Sequence, residues 1–234
     1  SLFTHLFNTR KMEKKNTSRR QFLYNSAKLG AFMPFVASPL LASGMQQLAQ
    51  SKVSQKKSGP LNILILGGTS FLGPFQIAYA LKQGHKVTIF TRGKSKPQIH
   101  NELFKDVEQL VGDREDNLEA LKGRKWDAVI DNSGRKVKWT EDTAELLKEN
   151  ADIYLYVSSV SVYYPFTGND FSEDRKLVLK MPADAEKGET RLYEYGTMKA
   201  NSEIATREIF GKDRSIIVRP TFIVGPGDKI DRFN

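Results

Sequence analysis

Apolar runs alternate with segments of helical spacing from residue 61 onward, and this alternation predicts the fold. Residues 61–66 form a mainly apolar run bounded by Pro60 and Gly67, which is typical of a buried parallel strand. Apolar positions then recur at helical spacing over residues 75–81, and residues 85–90 form a second strand-like run. A strand, a glycine turn, a helix and a second strand at this length predict one βαβ unit.

The same alternation continues through the rest of the chain. Short apolar runs predict further strands with helices between them, so we expect an α/β protein with a Rossmann-type, doubly wound parallel sheet. Ligands of such sheets bind beyond the carboxyl ends of the strands. The further predicted strands are 107–111, 128–130 and 153–157, and the further predicted helices are 140–150, with Thr140 as a candidate N-cap, and 191–210.

The net charge of the 234-residue chain belongs to its N-terminal segment. The chain carries 36 Lys and Arg against 27 Asp and Glu, but ten of the basic residues and one of the acids fall within residues 1–60. Residues 61–234 therefore hold 26 of each sign, which argues against a nucleic-acid partner for the domain. The lack of cysteine excludes disulfides and thiolate metal sites, and the three histidines form no motif, so we predict no metal site.

The N-terminal segment has the pattern of an export signal. Arg19 and Arg20 precede an apolar run at 29–41, and small residues follow at 42–44. The arginine pair resembles a twin-arginine translocation signal and predicts export to the periplasm, whereas an ordinary amphipathic helix or basic tail would leave a cytoplasmic protein. The apolar run is too short, and too interrupted by proline, to be a stable membrane anchor. The predicted division is a signal-like segment at 1–44, a linker at 45–60 and the folded domain at 61–234.

The turn between the first strand and the first helix has the residues of a dinucleotide phosphate site. Free N–H groups and the dipole at a helix N-terminus favour a pyrophosphate, and glycines let the backbone turn tightly and approach it. Gly67 and Gly73 occupy the outer glycine positions, and Ser70 stands at the middle one. The alternative is an ordinary tight loop. The cofactor-binding candidates in this turn are Gly67, Thr69, Ser70, Phe71, Leu72 and Gly73.

The loops after the next strands supply further cofactor-binding candidates. NAD sites usually carry an acid at the end of the second strand, about 20 residues beyond the glycines, to bind the ribose 2′-hydroxyl. This chain has none there, and Arg92 with Lys94 could pair with a 2′-phosphate, so we expect NADP in preference to NAD unless both charges are merely solvated. Asp113 is placed either to contact the adenine or to cap a helix at 117–121. Asn132, after the fourth strand, completes this group.

A serine, a tyrosine and a lysine, in that order, point to proton-transfer chemistry. Ser159 follows the fifth strand, and Tyr195 and Lys199 are four residues apart on one helix face. A free tyrosine has a pKa of about 10, which a nearby ammonium would lower. Tyr195 could then exchange a proton with a substrate hydroxyl or carbonyl while a hydride moves to or from the cofactor. Ser159 would bond the same oxygen, and Lys199 would also hold the nicotinamide ribose. The alternative for the Tyr–Lys pair is an exposed tyrosine beside a solvated lysine.

These motifs together resemble the extended short-chain dehydrogenase/reductase superfamily, in its NAD-dependent epimerase/dehydratase group. The resemblance implies an NAD(P)-dependent oxidoreductase, epimerase or dehydratase that acts on a hydroxyl or carbonyl substrate, often a nucleotide sugar. It also implies that Ser159, rather than Ser158, is the catalytic serine and that Pro220 lies near the nicotinamide. The matching segments are 67–73, 112–113, 158–163, 195–199 and 219–228, and the departures are Ser70, Arg92 and the loop 132–134.

The rest of the protein and its assembly stay open in the sequence. Members of this family continue well beyond the segment 225–227, so we expect a fragment from which the substrate domain is largely missing. A homodimer is one possible assembly. The rival to an enzyme is a non-catalytic Rossmann module that binds RNA or senses a cofactor. The neutral domain and the presence of Ser159, Tyr195 and Lys199 argue against this rival.

Overall fold

Six parallel strands form the centre of the folded domain. The computed structural model describes residues 59–167 and 172–228, and the signal-like segment and all but the end of the linker lie outside them. The strands are β1 Asn62–Leu66, β2 Lys86–Thr91, β3 Glu108–Val111, β4 Trp126–Asp131, β5 Ala151–Val157 and β6 Ser215–Val218. Their order in the sheet is β3-β2-β1-β4-β5-β6, and every neighbouring pair is parallel. This order confirms the predicted Rossmann-type doubly wound sheet.

Helices cover both faces of the sheet. The described helices are α1 Leu72–Lys82, α2 Val137–Leu147 and α3 Thr190–Phe210, with short 3-10 turns at Asn101–Asp106, Glu119–Leu121, Val160–Tyr163 and Lys212–Arg214. None of the described helices is long and apolar enough to cross a membrane.

The position of β1 in the middle of the sheet explains why its sequence is a continuous apolar run. Successive side chains of a strand point to opposite faces, so a strand covered on both sides must be apolar at every position. Leu64 and Leu66 pack into a core beneath α2 and α3, whereas Ile63 and Ile65 pack into a second core beneath α1. The glycine turn that follows this strand is therefore held at a fixed place at the sheet edge.

Two predictions of local structure are wrong. Helix α2 begins at Val137 rather than at Thr140, and Thr140 is a fully buried residue on the core face of the helix instead of its cap. The predicted helix at 117–121 is only a short 3-10 turn. Asp113 does not cap it, because its carboxylate accepts a hydrogen bond from the Glu115 backbone N–H in a tight turn. Polar residues that suit a cap also suit a local turn or a buried helix face, and the sequence pattern does not separate these roles.

Candidate active site

The predicted site residues all follow the carboxyl ends of strands or lie on the helix beside them. In this sheet the strand order reverses between β1 and β4, and such a reversal is where open α/β sheets form their ligand-binding crevice. The glycine turn 67–73 follows β1 at one side of this crevice, and Asn132 follows β4 at the other. The remaining candidates are Arg92 after β2, Asp113 after β3, Ser159 after β5, Pro220 after β6, and Tyr195 and Lys199 on α3.

The glycine turn has the close backbone packing that a dinucleotide phosphate needs. The Gly73 N–H donates to the Ser70 carbonyl at 3.0 Å, which closes the turn just before α1. A Cβ on Gly73 would lie 2.2 Å from the Gly68 carbonyl oxygen, so only glycine allows this approach. Ser70 is exposed at the tip of the turn, and Phe71 has a positive φ of 39° immediately before the helix. The residues present therefore fit a pyrophosphate at the N-terminus of α1.

The loop after β2 leaves two cations exposed beside the glycine turn. Arg92 and Lys94 are both exposed, and neither forms an ion pair with another residue of the described part of the chain. The Thr69 and Ser95 hydroxyl groups are hydrogen-bonded at 2.9 Å, which joins the glycine turn to this loop. The arrangement brings Thr69 and the segment that carries the two cations to the same end of the crevice.

Lys199 is buried between the end of β5 and the Tyr195 ring. Its ammonium donates to the Val157 carbonyl at 2.9 Å, where β5 ends, and only 6% of the residue is exposed. The Lys199 nitrogen lies 4.8 Å from the centre of the Tyr156 ring and 6.0 Å from the centre of the Tyr195 ring. Tyr195 is 44% exposed. Helix α3 thus presents a buried cation behind an accessible phenol.

The surroundings of Lys199 lower its pKa. Burial lowers the pKa of Lys199 to about 8, because the charged ammonium loses its hydration. Asp131 opposes this shift, whereas the positive charges of Arg114 and Arg135 lower the pKa further. Arg135 itself is exposed, in the loop after β4. The ammonium is still mainly protonated at neutral pH, so it can act as a positive charge behind Tyr195.

Close packing of α3 brings the serine turn, which is the segment 158–163 after β5, to the same place. A Cβ on Gly196, the neighbour of Tyr195, would lie 2.3 Å from the Ser161 carbonyl oxygen. The Ser159 hydroxyl accepts from the Ser161 N–H at 3.2 Å and is hydrogen-bonded to the Ser161 hydroxyl at 3.1 Å. Ser158, by contrast, is only 3% exposed. Ser159 is thus the more accessible of the two neighbouring serines.

The segment after β6 packs against the serine turn. The Ser158 N–H donates to the Val218 carbonyl at 2.8 Å, and the Val160 N–H donates to the Pro220 carbonyl at 3.1 Å. Pro220 therefore lies directly against the serine turn. The Val178 N–H donates to the Val162 carbonyl at 3.0 Å, so part of the connection between this turn and α3 also packs on the turn.

A buried ion pair below the crevice is the main feature that sequence reasoning missed. Arg114 donates to both oxygens of Asp131, at 2.6 and 2.9 Å, and the side chains of the two residues are 5% and 0% exposed. The other Arg114 hydrogen bonds go to Thr143 and Ser133 and to the Trp139 carbonyl, and the Tyr154 hydroxyl donates to Asp131 at 2.7 Å. Burial would raise the pKa of Asp131, but the Arg114 charge and the hydrogen bonds from Arg114 and Tyr154, with the Lys199 charge, together outweigh burial, so the pKa is lowered.

Only one signal in the sequence hints at this pair. Asp131 ends an apolar strand, where an acid must be either exposed or paired. Its partner is 17 residues away in a loop rich in charge, and nothing in the spacing identifies it. No group of three or more His, Asp or Glu side chains within 59–167 and 172–228 could hold a metal ion.

Comparison with known proteins places the chain in a family and agrees with the fold. The model of the NAD-dependent epimerase/dehydratase family matches residues 63–234. A curated relative from Arabidopsis thaliana, named chloroplast stem-loop binding protein of 41 kDa b, is 34% identical over 152 residues, which are 60% of this chain and 38% of the relative.

Solved structures share the fold at low sequence identity. The crystal structure of UDP-galactose 4-epimerase has a TM-score of 0.56 and 21% identity, over 71% of this chain and 58% of that one. The Bordetella bronchiseptica enzyme WbmG in complex with NAD has a TM-score of 0.55 and 16% identity, over 74% of this chain and 56% of that one. The chain thus spans well under two thirds of the length of each of these proteins.

Proposed function

Because the chain belongs to the NAD-dependent epimerase/dehydratase family, we propose that it is an enzyme that acts on a hydroxyl or carbonyl substrate with an NAD(P) cofactor. The observation that carries the proposal is the position of Lys199, buried behind the accessible ring of Tyr195 at the carboxyl edge of the sheet. A buried ammonium beside a phenol favours the ionised phenol, whereas a solvated lysine beside an exposed tyrosine has little such effect. When bound, the nicotinamide ring supplies the hydride acceptor or donor.

Tyr195 is proposed to move the proton. A positive charge close to a phenol favours its ionised form, so the Lys199 ammonium lets Tyr195 accept a proton from a substrate hydroxyl or return one to a carbonyl. The Ser159 hydroxyl holds the same substrate oxygen. Lys199 keeps its place through the Val157 carbonyl, which leaves its remaining N–H groups to contact the nicotinamide ribose.

The cofactor is proposed to bind across the crevice. The glycine turn 67–73 would hold the pyrophosphate, Asp113 the adenine end, and Asn132 and Pro220 would border the nicotinamide half. NADP is proposed over NAD because Arg92 and Lys94 are exposed without an ion-pair partner in the described residues, and no acid ends β2. The solved neighbour WbmG contains NAD, so NAD is the second cofactor to test.

A nucleotide sugar is the proposed substrate class. Support comes from the structural neighbours, since one is a UDP-galactose 4-epimerase and another is a UDP-N-acetylglucosamine 4-epimerase. The reaction would then be oxidation of a sugar hydroxyl followed by reduction of the resulting carbonyl, with Tyr195 taking and returning the proton.

Replacing Tyr195 with Phe tests the proposal. The Tyr195→Phe protein should bind NADP or NAD as the wild type does and lose at least 100-fold in turnover of UDP-sugars or of other hydroxyl and carbonyl substrates, the usual scale of a lost acid–base group. Tyr79→Phe is the matched control, because Tyr79 is 68% exposed on α1 and should tolerate the change. Equal turnover in wild type and Tyr195→Phe would refute the role of Tyr195.

RNA binding is a second candidate, favoured by one observation. The relative with 34% identity is named a stem-loop binding protein. The neutral charge of residues 61–234 opposes this function, because RNA affinity depends on basic side chains. A variant of the full chain with the ten Lys and Arg of residues 1–60 changed to Gln separates the two. Salt-dependent binding of a stem-loop RNA by this variant would favour the RNA-binding candidate.

A further inference from the structure

Two side-chain amides are hydrogen-bonded to each other beyond the carboxyl ends of β1 and β4. The Asn132 amide nitrogen donates to the Gln76 amide oxygen at 2.5 Å, and the Gln76 amide nitrogen donates to the Asn132 amide oxygen at 3.2 Å. Gln76 lies on α1, just beyond the glycine turn, and Asn132 lies in the loop after β4. The two residues are 56 positions apart in sequence, so only the folded sheet brings them together.

Asn132 also contacts the backbone of the glycine turn. Its amide nitrogen lies 3.4 Å from the Gly67 carbonyl, and its backbone N–H donates to the Leu66 carbonyl at 3.2 Å. The first residue of the turn and the helix that follows the turn are therefore both bonded to the same asparagine. Movement of α1 away from β4 would break both hydrogen bonds between Gln76 and Asn132.

The loop that carries Asn132 is itself fixed at the following residues. The Ser133 N–H donates to Asp131, and its hydroxyl accepts from Arg114 at 3.2 Å, so Ser133 is bonded to both members of the buried ion pair. The Gly134 carbonyl lies 3.4 Å from the Tyr156 hydroxyl. Hydrogen bonds thus hold the loop around Asn132 in place, and Gln76 is the residue that bonds α1 to this loop.

We infer that Gln76 is a positioning residue, which holds the N-terminal part of α1 and the glycine turn at the separation from the β4 loop that a dinucleotide pyrophosphate requires. The inference rests on the proposed cofactor site. A hydrogen-bonded amide pair holds α1 and the β4 loop at a narrower range of separations than apolar contact would, because hydrogen bonds tolerate only small displacements. Half-buried amides also need partners, so the two residues depend on each other. Gln76 itself need not touch the cofactor.

Cofactor affinity distinguishes positioning from general stability. We would compare the full chain with Gln76→Leu, Asn132→Ala and the double variant, measuring NADP and NAD dissociation constants by calorimetry and the unfolding midpoint without cofactor. Gln83→Leu is the matched control, because Gln83 directly follows the same helix and is exposed. Gln76→Met provides a second apolar replacement if the leucine variant folds poorly.

The inference predicts that Gln76→Leu weakens cofactor binding roughly five- to tenfold, the scale of one or two lost hydrogen bonds, while Gln83→Leu binds as the wild type. The double variant should bind no more weakly than Asn132→Ala alone, because both changes break the same contact. Wild-type affinity in both Gln76 variants, or fully additive losses in the double variant, would overturn the inference and leave the proposed function intact. Wild-type protein that binds neither cofactor would overturn both.

Discussion

Gly196 lies directly against the backbone of Ser161, and this contact joins the two halves of the candidate catalytic site. A Cβ at Gly196 would be 2.3 Å from the Ser161 carbonyl oxygen and 3.1 Å from its carbonyl carbon. Because Gly196 follows Tyr195, the contact sets how closely the tyrosine approaches the turn that carries Ser159. The spacing of the candidate catalytic side chains thus depends on Gly196, which has no side chain.

We expect Gly196→Ala to damage the site although alanine is the better helix former. In an open helix interior alanine would stabilise by about 1 kcal/mol. Here the new methyl group meets a backbone oxygen that cannot rotate away, so we expect destabilisation by roughly 1–3 kcal/mol and loss of most turnover. Thermal unfolding and activity measurements check both effects. Gly188→Ala is the control, since a Cβ at Gly188 meets nothing within 4 Å, and equal behaviour of the two variants would contradict the packing argument.

Breaking the buried ion pair should cost far more than breaking an exposed one. Arg114→Met leaves the Asp131 carboxylate buried without its charge partner, which should destabilise the fold by about 3–5 kcal/mol in urea unfolding. Arg124→Met, which removes the exposed pair with Glu108, should cost less than about 1 kcal/mol. The double variant Arg114→Met with Asp131→Leu should recover part of the loss. Similar costs for the two single variants would show that Asp131 is not buried as a charge.

The depressed pKa of Lys199 predicts a pH-dependent stability. Its pKa is about 8 in the folded chain and 10.5 as the reference value, so the folded state binds fewer protons between these pH values. The penalty for burying the ammonium is therefore complete below pH 8 and is relieved as pH rises from 8 towards 10.5.

Replacing Lys199 with Met should remove this dependence. Relative to wild type, Lys199→Met should be more stable at pH 7 than at pH 10, with a difference of at most about 3 kcal/mol between the two pH values. Urea unfolding at both pH values measures it. Lys212→Met is the exposed control and should show no such difference. A stability gap that does not change with pH would contradict the burial of a charged Lys199.

Arg92 should control the choice between cofactors. Replacing Arg92 with Ser removes the guanidinium proposed to pair with the 2′-phosphate, so NADP affinity should fall about tenfold while NAD affinity changes little. Titrations of both cofactors give the ratio. Arg191→Ser, at an exposed arginine near the start of α3, should leave the ratio unchanged. A ratio unaffected by Arg92→Ser would assign cofactor selection to other residues.

Much of the fold could be predicted because its signals are local. The apolar runs predicted the first five strands with ends within two residues of the observed ones, since parallel strands buried on both faces must be apolar throughout. The start of α2 was less predictable. Thr140 looks like a helix cap in the sequence, yet it is buried by packing against distant residues that no local pattern reveals.

The candidate site likewise contains features with local sequence signals and features that depend on contacts between distant residues. The glycine turn and the Tyr195–Lys199 pair follow from short spacings that constrain the local backbone, and the structure places them at the carboxyl edge of one sheet. The Arg114–Asp131 pair and the Gln76–Asn132 pair join residues far apart in sequence. Their formation depends on the completed sheet, so composition and periodicity do not identify which residue pairs with which.

Cofactor binding tests the central claim most directly. Thermal unfolding of the protein would be recorded with NADP, with NAD and with neither. A cofactor that binds only the folded state, at about 100 times its dissociation constant, should add roughly 2.7 kcal/mol and raise the midpoint. We predict a clear rise with NADP and a smaller one with NAD, retained in Tyr195→Phe. A midpoint that changes neither with NADP nor with NAD would contradict the assignment of the crevice as a dinucleotide site.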